Sequence, residues 1–229
     1  MKTLGIIPAR SGSKGIHKKN IKLLNGKPLI AYTLEAALSS IIDRVIVSTD
    51  CGDIVRIAKK YNVEVIKRPP ELAKDSTPML PVLQHTADNI NEIFDAVVTL
   101  QPTSPLRTSK NINDAIKIFK NDRVADSLVS VTKVPHNYMP EKLMDIKGKY
   151  LVGDNEPKRR QQVDNLYARN GAAIYITRST KLKEFIFGGK ILPYFMDKIV
   201  SLDIDDLEDW ELASRLLIGK NSYDKKYNK

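Results

Sequence analysis

Three cations, Arg10, Lys14 and Lys19, share one short loop with Gly12 and Gly15. Glycine lets backbone N–H groups turn toward a ligand, and consecutive N–H groups in such a turn form a concavity that holds anions. The full charges suit a polyphosphate, and a solvated basic loop is the plain alternative. The loop contains neither G-x-x-x-x-G-K-[ST] nor G-x-G-x-x-G, which argues against a P-loop NTPase and an ordinary dinucleotide-binding oxidoreductase. Far along the chain, Asp203 and Asp205 flank Ile204 on a strand-like stretch, so both carboxylates point to one side. Such a pair repels unless a cation lies between, and Mg²⁺ takes one or two carboxylates together with substrate phosphates. The alternative is that Asp205 or Asp206 caps the helix predicted to run from Leu207 to Leu217.

Two proline-stiffened segments lie between these ends. Pro69 and Pro70 fix an extended loop that holds Arg68 in place. Ser76 and Thr77 are placed to cap a helix from Pro78 to Ile90, a role favoured for them over ligand contact. Pro102 and Pro105 stiffen the turn Gln101-Pro102-Thr103-Ser104-Pro105, and rigid backbone suits a site that must hold a reacting group to within about 0.5 Å. Arg107 then anchors that loop or starts the next helix.

The elements that must position these residues follow from hydrophobic spacing. Leu4–Ile7, Arg44–Ser48, Val63–Ile66, Ala96–Leu100 and Ser127–Thr132 read as buried strands. Leu29–Ser40, Asp53–Tyr61, Pro78–Ile90 and Asn111–Asn121 read as helices between them. This alternation predicts an α/β fold with a mostly parallel sheet covered on both faces, whose ligands bind outside the carboxyl ends of the strands. After residue 133 the pattern changes. Prolines and polar turns over 134–163, with a hairpin around Lys147-Gly148, read as an excursion from the sheet. Residues 220–229 read as a flexible basic tail.

A chain of 229 residues predicts a single domain, here 1–229, and no apolar run approaches the roughly 20 residues of a membrane span. One cysteine excludes an internal disulfide, and a cytoplasmic protein is expected. The net charge of +10 points to acidic partners. No helix-turn-helix, zinc-finger or aromatic-basic motif supports nucleic acid among them.

Taken in order, the motifs resemble those of the CMP-sialic acid synthetase family, the cytidylyltransferases that activate sialic acids and related nine-carbon keto sugar acids. Ala9-Arg10, Ser13-Lys14-Gly15 and Lys19-Asn20 match its opening signature, and Arg68-Pro69-Pro70-Glu71-Leu72 its R-P-x-E-L segment. Leu100 to Arg107 matches L-Q-P-T-S-P-x-R in full. Arg160-Gln161-Gln162, then Asn170 to Tyr175 with one extra alanine, and the terminal D-I-D complete the series.

The resemblance implies a Rossmann-like nucleotidyltransferase fold, a three-layer sandwich. It implies a reaction of CTP with a nonulosonic acid to give CMP-sugar and pyrophosphate, using Mg²⁺ or Mn²⁺ on Asp203 and Asp205. Arg10 and Lys19 would work at the reacting centre with the two aspartates. Ala9, Ser13, Lys14, Asn20, Arg68 and Thr77 would join Arg10 and Lys19 on the nucleotide. Gln101, Lys142 and Arg160 would hold the sugar acid, although Arg159 stands beside Arg160. Tyr175 lines the sugar pocket or fills the core. The excursion 134–163 would reach a second subunit in a homodimer. The acid is of N-acetylneuraminate, legionaminate or pseudaminate type, and the wording around Pro135 and Pro140 is reminiscent of the legionaminate branch. Synthesis of another sugar nucleotide is the rival enzyme, and a non-catalytic nucleotide- or nucleic-acid-binding module is the rival from another class.

Overall fold

The structure, a computed structural model, describes residues 1–12, 15–153 and 165–227, with side chains through Gly219. In chain order its strands are β1 (Thr3–Pro8), β2 (Leu23–Leu24), β3 (Lys27–Pro28), β4 (Arg44–Thr49), β5 (Glu64–Lys67), β6 (Ala96–Thr99), β7 (Ser127–Lys133), β8 (Met144–Lys147), β9 (Tyr150–Gly153), β10 (Tyr167–Arg169), β11 (Tyr175–Arg178) and β12 (Ile191–Phe195). The α-helices are α1 (Leu29–Leu38), α2 (Gly52–Lys60), α3 (Met79–Asp88), α4 (Ser109–Asn121) and α5 (Leu207–Tyr227).

The eight-stranded sheet runs β10-β7-β11-β6-β1-β4-β5, with β12 also paired to β7. β5, β4, β1 and β6 are mutually parallel, β11 is antiparallel to β6 and β7, and β10 is antiparallel to β7. The two-residue period of a strand explains the layers. Ile7, Val47 and Val98 enter one core with Ile30, Leu34, Ile54 and Ala58 of α1 and α2 and with Ile112, Ile116 and Phe119 of α4. Leu4, Ile6, Ile46 and Val97 enter the other with Leu83 of α3, Phe94 and Leu182. Helices thus cover both faces, which is the expected sandwich. The four parallel strands deliver the loops after Pro8, Thr49, Lys67 and Thr99 to one end of the sheet.

Three details differ from the sequence reading. Ser76 and Thr77 do not cap α3. Pro78 takes the N-cap position, and the Thr77 hydroxyl donates instead to the Glu71 carbonyl at 3.0 Å. Helix α5 continues to Tyr227, through the stretch read as a flexible tail, because no glycine or proline follows Gly219 to stop it. Finally, Asp203 to Asp205 pairs with no strand. The alternation still holds there, since Ile204 is fully buried against Leu24, Leu29 and Ala213 while the flanking aspartates face the other way.

The excursion leaves β7, passes through tight turns at His136–Tyr138 and Pro140–Lys142, and forms the β8–β9 hairpin as a separate two-stranded sheet. Gly148 turns that hairpin with φ +65°. Leu143, Ile146, Tyr150 and Leu151 are all exposed on it. The chain returns to β7 through β10.

Candidate active site

A cleft of about 330 Å³ opens at the carboxyl end of the parallel strands. It is lined by Arg10 and Lys19 after β1, Arg68 after β5, Gln101 and Thr103 after β6, and the pair Asp203 and Asp205 before α5. Seven sequence-predicted residues, counting Asn20, therefore meet in one place.

Lys19, Asn20 and Arg68 are held by backbone carbonyls. The Ser48 carbonyl on β4 accepts both the Ala9 amide at 2.9 Å and Arg68 Nη2 at 3.0 Å. Arg68 is only 5% exposed. Burial lowers its pKa and the Arg10 charge adds to this, while Asp50 opposes. Asn20 donates from Nδ2 to the Arg10 carbonyl at 3.0 Å, closing the opening loop on itself. Asp50 accepts from the Ser11 amide at 2.9 Å and from the Ser11 hydroxyl. Burial alone would raise the Asp50 carboxyl, but these two bonds hold it below its ordinary value. Arg10 itself makes an ion pair with Asp75.

The aspartate segment is tied to both neighbours. The Ile204 amide donates to the Thr103 carbonyl at 2.8 Å, and Lys19 Nζ donates to the Ile204 carbonyl. A methyl group on Gly15 would stand 2.3 Å from the Asp205 carbonyl oxygen, so only glycine lets the opening loop lie this close. Burial raises the Asp203 pKa; the Thr103 hydroxyl and Lys19 oppose this, and Asp205 adds to it. Asp203 Oδ1 is buried and has no protein partner among the described residues. Asp206, not Asp205, caps α5: its Oδ1 accepts from the amides of Glu208 and Asp209 at 2.9 and 3.0 Å.

The other predicted residues stand elsewhere. Ser13, Lys14 and Arg160 lie outside the described residues, as does Arg159. Ala9 is fully buried and its amide is committed to Ser48. Thr77 is held to Glu71 and does not line the cleft. Lys142 is exposed on the excursion. Tyr175 is 7% exposed and stacks edge-on against Phe187 with ring centroids 5.2 Å apart, which makes it a core residue here. Sequence reasoning missed Asp75 as the partner of Arg10 and Thr103 as the anchor of Ile204. Thr103 was legible only as part of the proline-stiffened motif. Among the described residues no group of three or more histidine, cysteine, aspartate or glutamate side chains is arranged for a metal, and no helix is long and apolar enough to cross a membrane.

This is an α/β sandwich with a basic and carboxylate-lined cleft outside the carboxyl ends of its strands, where such sheets hold ligands. The cytidylyltransferase family profile matches residues 4–196, and the chain belongs to that family. It is 37% identical over 227 residues to an N-acylneuraminate cytidylyltransferase of Escherichia coli, covering 96% of this chain and 53% of that protein. It is 35% identical to the enzyme of that name from Streptococcus agalactiae serotype V, covering 92% and 52%. The chain thus spans about half the length of these curated relatives. A CMP-N,N'-diacetyllegionaminic acid synthase of Legionella pneumophila is 33% identical, and the match covers 95% of this chain and 97% of that one. Among solved structures, a CMP:2-keto-3-deoxy-manno-octonic acid synthetase complexed with CTP superposes with a TM-score of 0.75 at 16% identity, over 96% of this chain and all of the other. That likeness shows the shared fold.

Proposed function

We propose that the chain is a cytidylyltransferase that joins CTP to a nine-carbon 2-keto sugar acid, giving the CMP-sugar and pyrophosphate. The observation that carries this is the convergence of Arg10, Lys19, Arg68, Gln101, Asp203 and Asp205 on one cleft in a member of the family. The anomeric hydroxyl of the acid attacks the α-phosphorus and pyrophosphate leaves, with no covalent enzyme intermediate. Such a reaction needs positioning and charge neutralisation. Arg10 and Lys19, with Lys14, hold the triphosphate; Asn20 and Arg68 contact the nucleoside; Gln101 orients the acid. Lys142 and Arg160 take its carboxylate, for which the arginine fork is suited.

A divalent cation fits the aspartate pair. Asp203 Oδ1 has no protein partner among the described residues, and two carboxylates plus substrate phosphates make the oxygen set that Mg²⁺ or Mn²⁺ takes. Bound there, the ion would neutralise phosphate charge and lower the pKa of the attacking hydroxyl. The exposed apolar hairpin β8–β9 supports a homodimer in which 134–163 reaches the partner's cleft. A cytoplasmic location goes with the same reading.

The acid is of N-acetylneuraminate, legionaminate or pseudaminate type, and relatives named for the first two are 37% and 33% identical. Pyrophosphate release with CTP, Mg²⁺ and a panel of N-acetylneuraminate, legionaminate, pseudaminate and Kdo tests both points. Release with one nine-carbon acid supports the reading. Silence across the panel from folded protein, or release with Kdo alone, overturns it.

The Arg10–Asp75 ion pair must open when a triphosphate arrives. Half-exposed pairs contribute at most about 1 kcal/mol, so Asp75→Asn lowers the KM for CTP by up to about fivefold with kcat unchanged. Steady-state kinetics check this, and a raised KM would mean that Asp75 orients Arg10 for the nucleotide.

A further inference from the structure

Arg107 is 3% exposed, and among the described residues no carboxylate forms an ion pair with it. Its Nη1 donates to the carbonyls of Gln101 at 3.1 Å and Ala173 at 2.7 Å. Its Nη2 donates to Thr33 Oγ1 on α1 at 2.6 Å. The Gln101 amide in turn donates to the Ala172 carbonyl at 3.0 Å. Both backbone groups of Gln101 are therefore fixed, and the loop after β6 is bound to the turn before β11. That same turn presses on the aspartate pair, since a methyl on Gly171 would lie 2.4 Å from Asp203 Oδ2.

An ordinary loop anchor needs donors but no charge, and a buried cation is costly unless something answers it. Here the answering group is Asp203, whose attraction partly offsets the burial of Arg107. The guanidinium also leaves Nε without a partner among the described residues, so hydrogen-bond satisfaction alone does not explain its presence. A planar fork of fixed shape that ties three elements together explains it better.

We infer that Arg107 is a positioning residue for the reaction, setting Gln101 toward the sugar acid and the Gly171 turn against Asp203 from beneath the cleft. The inference rests on the cytidylyltransferase reading, which the wild-type protein tests by itself. Arg107→Lys keeps the charge and loses the fork. Thr33→Val removes one acceptor of Arg107, together with the long 3.4 Å bond from the Thr33 hydroxyl to the Gln101 carbonyl, with little change of shape, and keeps the proposal testable if the lysine variant folds poorly.

With saturating CTP and acid, Arg107→Lys loses kcat about a hundredfold, the size expected for a misplacement near 1 Å. Thr33→Val loses several-fold in the same direction. Calorimetric titration gives a Kd for CTP within about twofold of wild type in both, because Arg10 and Lys19 are untouched. Mn²⁺ affinity in the presence of CTP, followed by water proton relaxation, falls about tenfold in Arg107→Lys, as for other supports of metal ligands. This readout needs no turnover, so it stands even where the wild type proves inactive with every acid tried. A lowered Tm with kcat per folded molecule and Mn²⁺ affinity unchanged would make Arg107 a structural anchor only. Parallel losses of CTP affinity and kcat would also overturn the assignment.

Discussion

Replacing Asp203 with asparagine lowers turnover about a thousandfold, the scale on which charge stabilisation acts in such sites, yet raises the melting temperature of the nucleotide-free protein at neutral pH in EDTA. Both effects come from one feature. The Asp203 carboxylate is removed from water, and its charge is opposed by Asp205 and only partly answered by Lys19 and the buried Arg107. Its folded-state pKa is raised above the ordinary 3.8, so the folded protein binds this proton more tightly than the unfolded chain. The ionised carboxylate then burdens the folded state at pH values above the folded pKa. The burden is absent well below 3.8, where both states carry the proton. The asparagine variant therefore gains stability at pH 7 and loses that advantage as the pH falls through the folded and then the ordinary value. Thermal melts at pH 7 and pH 3 beside pyrophosphate release at pH 7 check this. Full turnover in the variant would remove Asp203 from the metal, and equal melting shifts at both pH values would remove the electrostatic explanation. Lost function with gained stability is the pattern expected where a site is held in an unfavourable state for its chemistry.

Gly171→Ala carries the second large effect. Gly171 sits at φ +64°, where an L side chain costs about 1–2 kcal/mol. Its added methyl would also stand 2.6 Å from Asp203 Cγ, closer than atoms can sit, so the carboxylate must move. Turnover falls about a hundredfold, as misplacement of a reacting group predicts, while CTP binding through Arg10 and Lys19 changes little. Gly26→Ala is the control. Gly26 has φ +79° and nothing within 4 Å of the added methyl. It loses comparable stability and keeps turnover. Equal turnover in the two variants would show that contact with Asp203 is without consequence.

The sheet was legible because β-branched runs such as Arg44 to Ser48 alternate with helically spaced segments, and a two-residue period sends Ile46 and Val47 to opposite cores. The aspartate pair was legible for the same reason, with Ile204 turned inward between its neighbours. Less could be read where the outcome depends on which distant group arrives first. Thr77 looks like a cap until the Glu71 carbonyl takes its hydroxyl. Arg107 was legible as an anchor of its loop, but nothing local says that its chain will be buried under Ala173. The Arg10–Asp75 pair joins residues that no local pattern connects.

Lys19 meets the Ile204 carbonyl across 185 positions of sequence, and Ile204 is seated beside Ala213 of α5. During synthesis the cleft lacks both carboxylates until residue 205 has emerged, long after its basic loop. Contacts of such separation close late. The cleft is therefore complete only once the segment before α5 has docked.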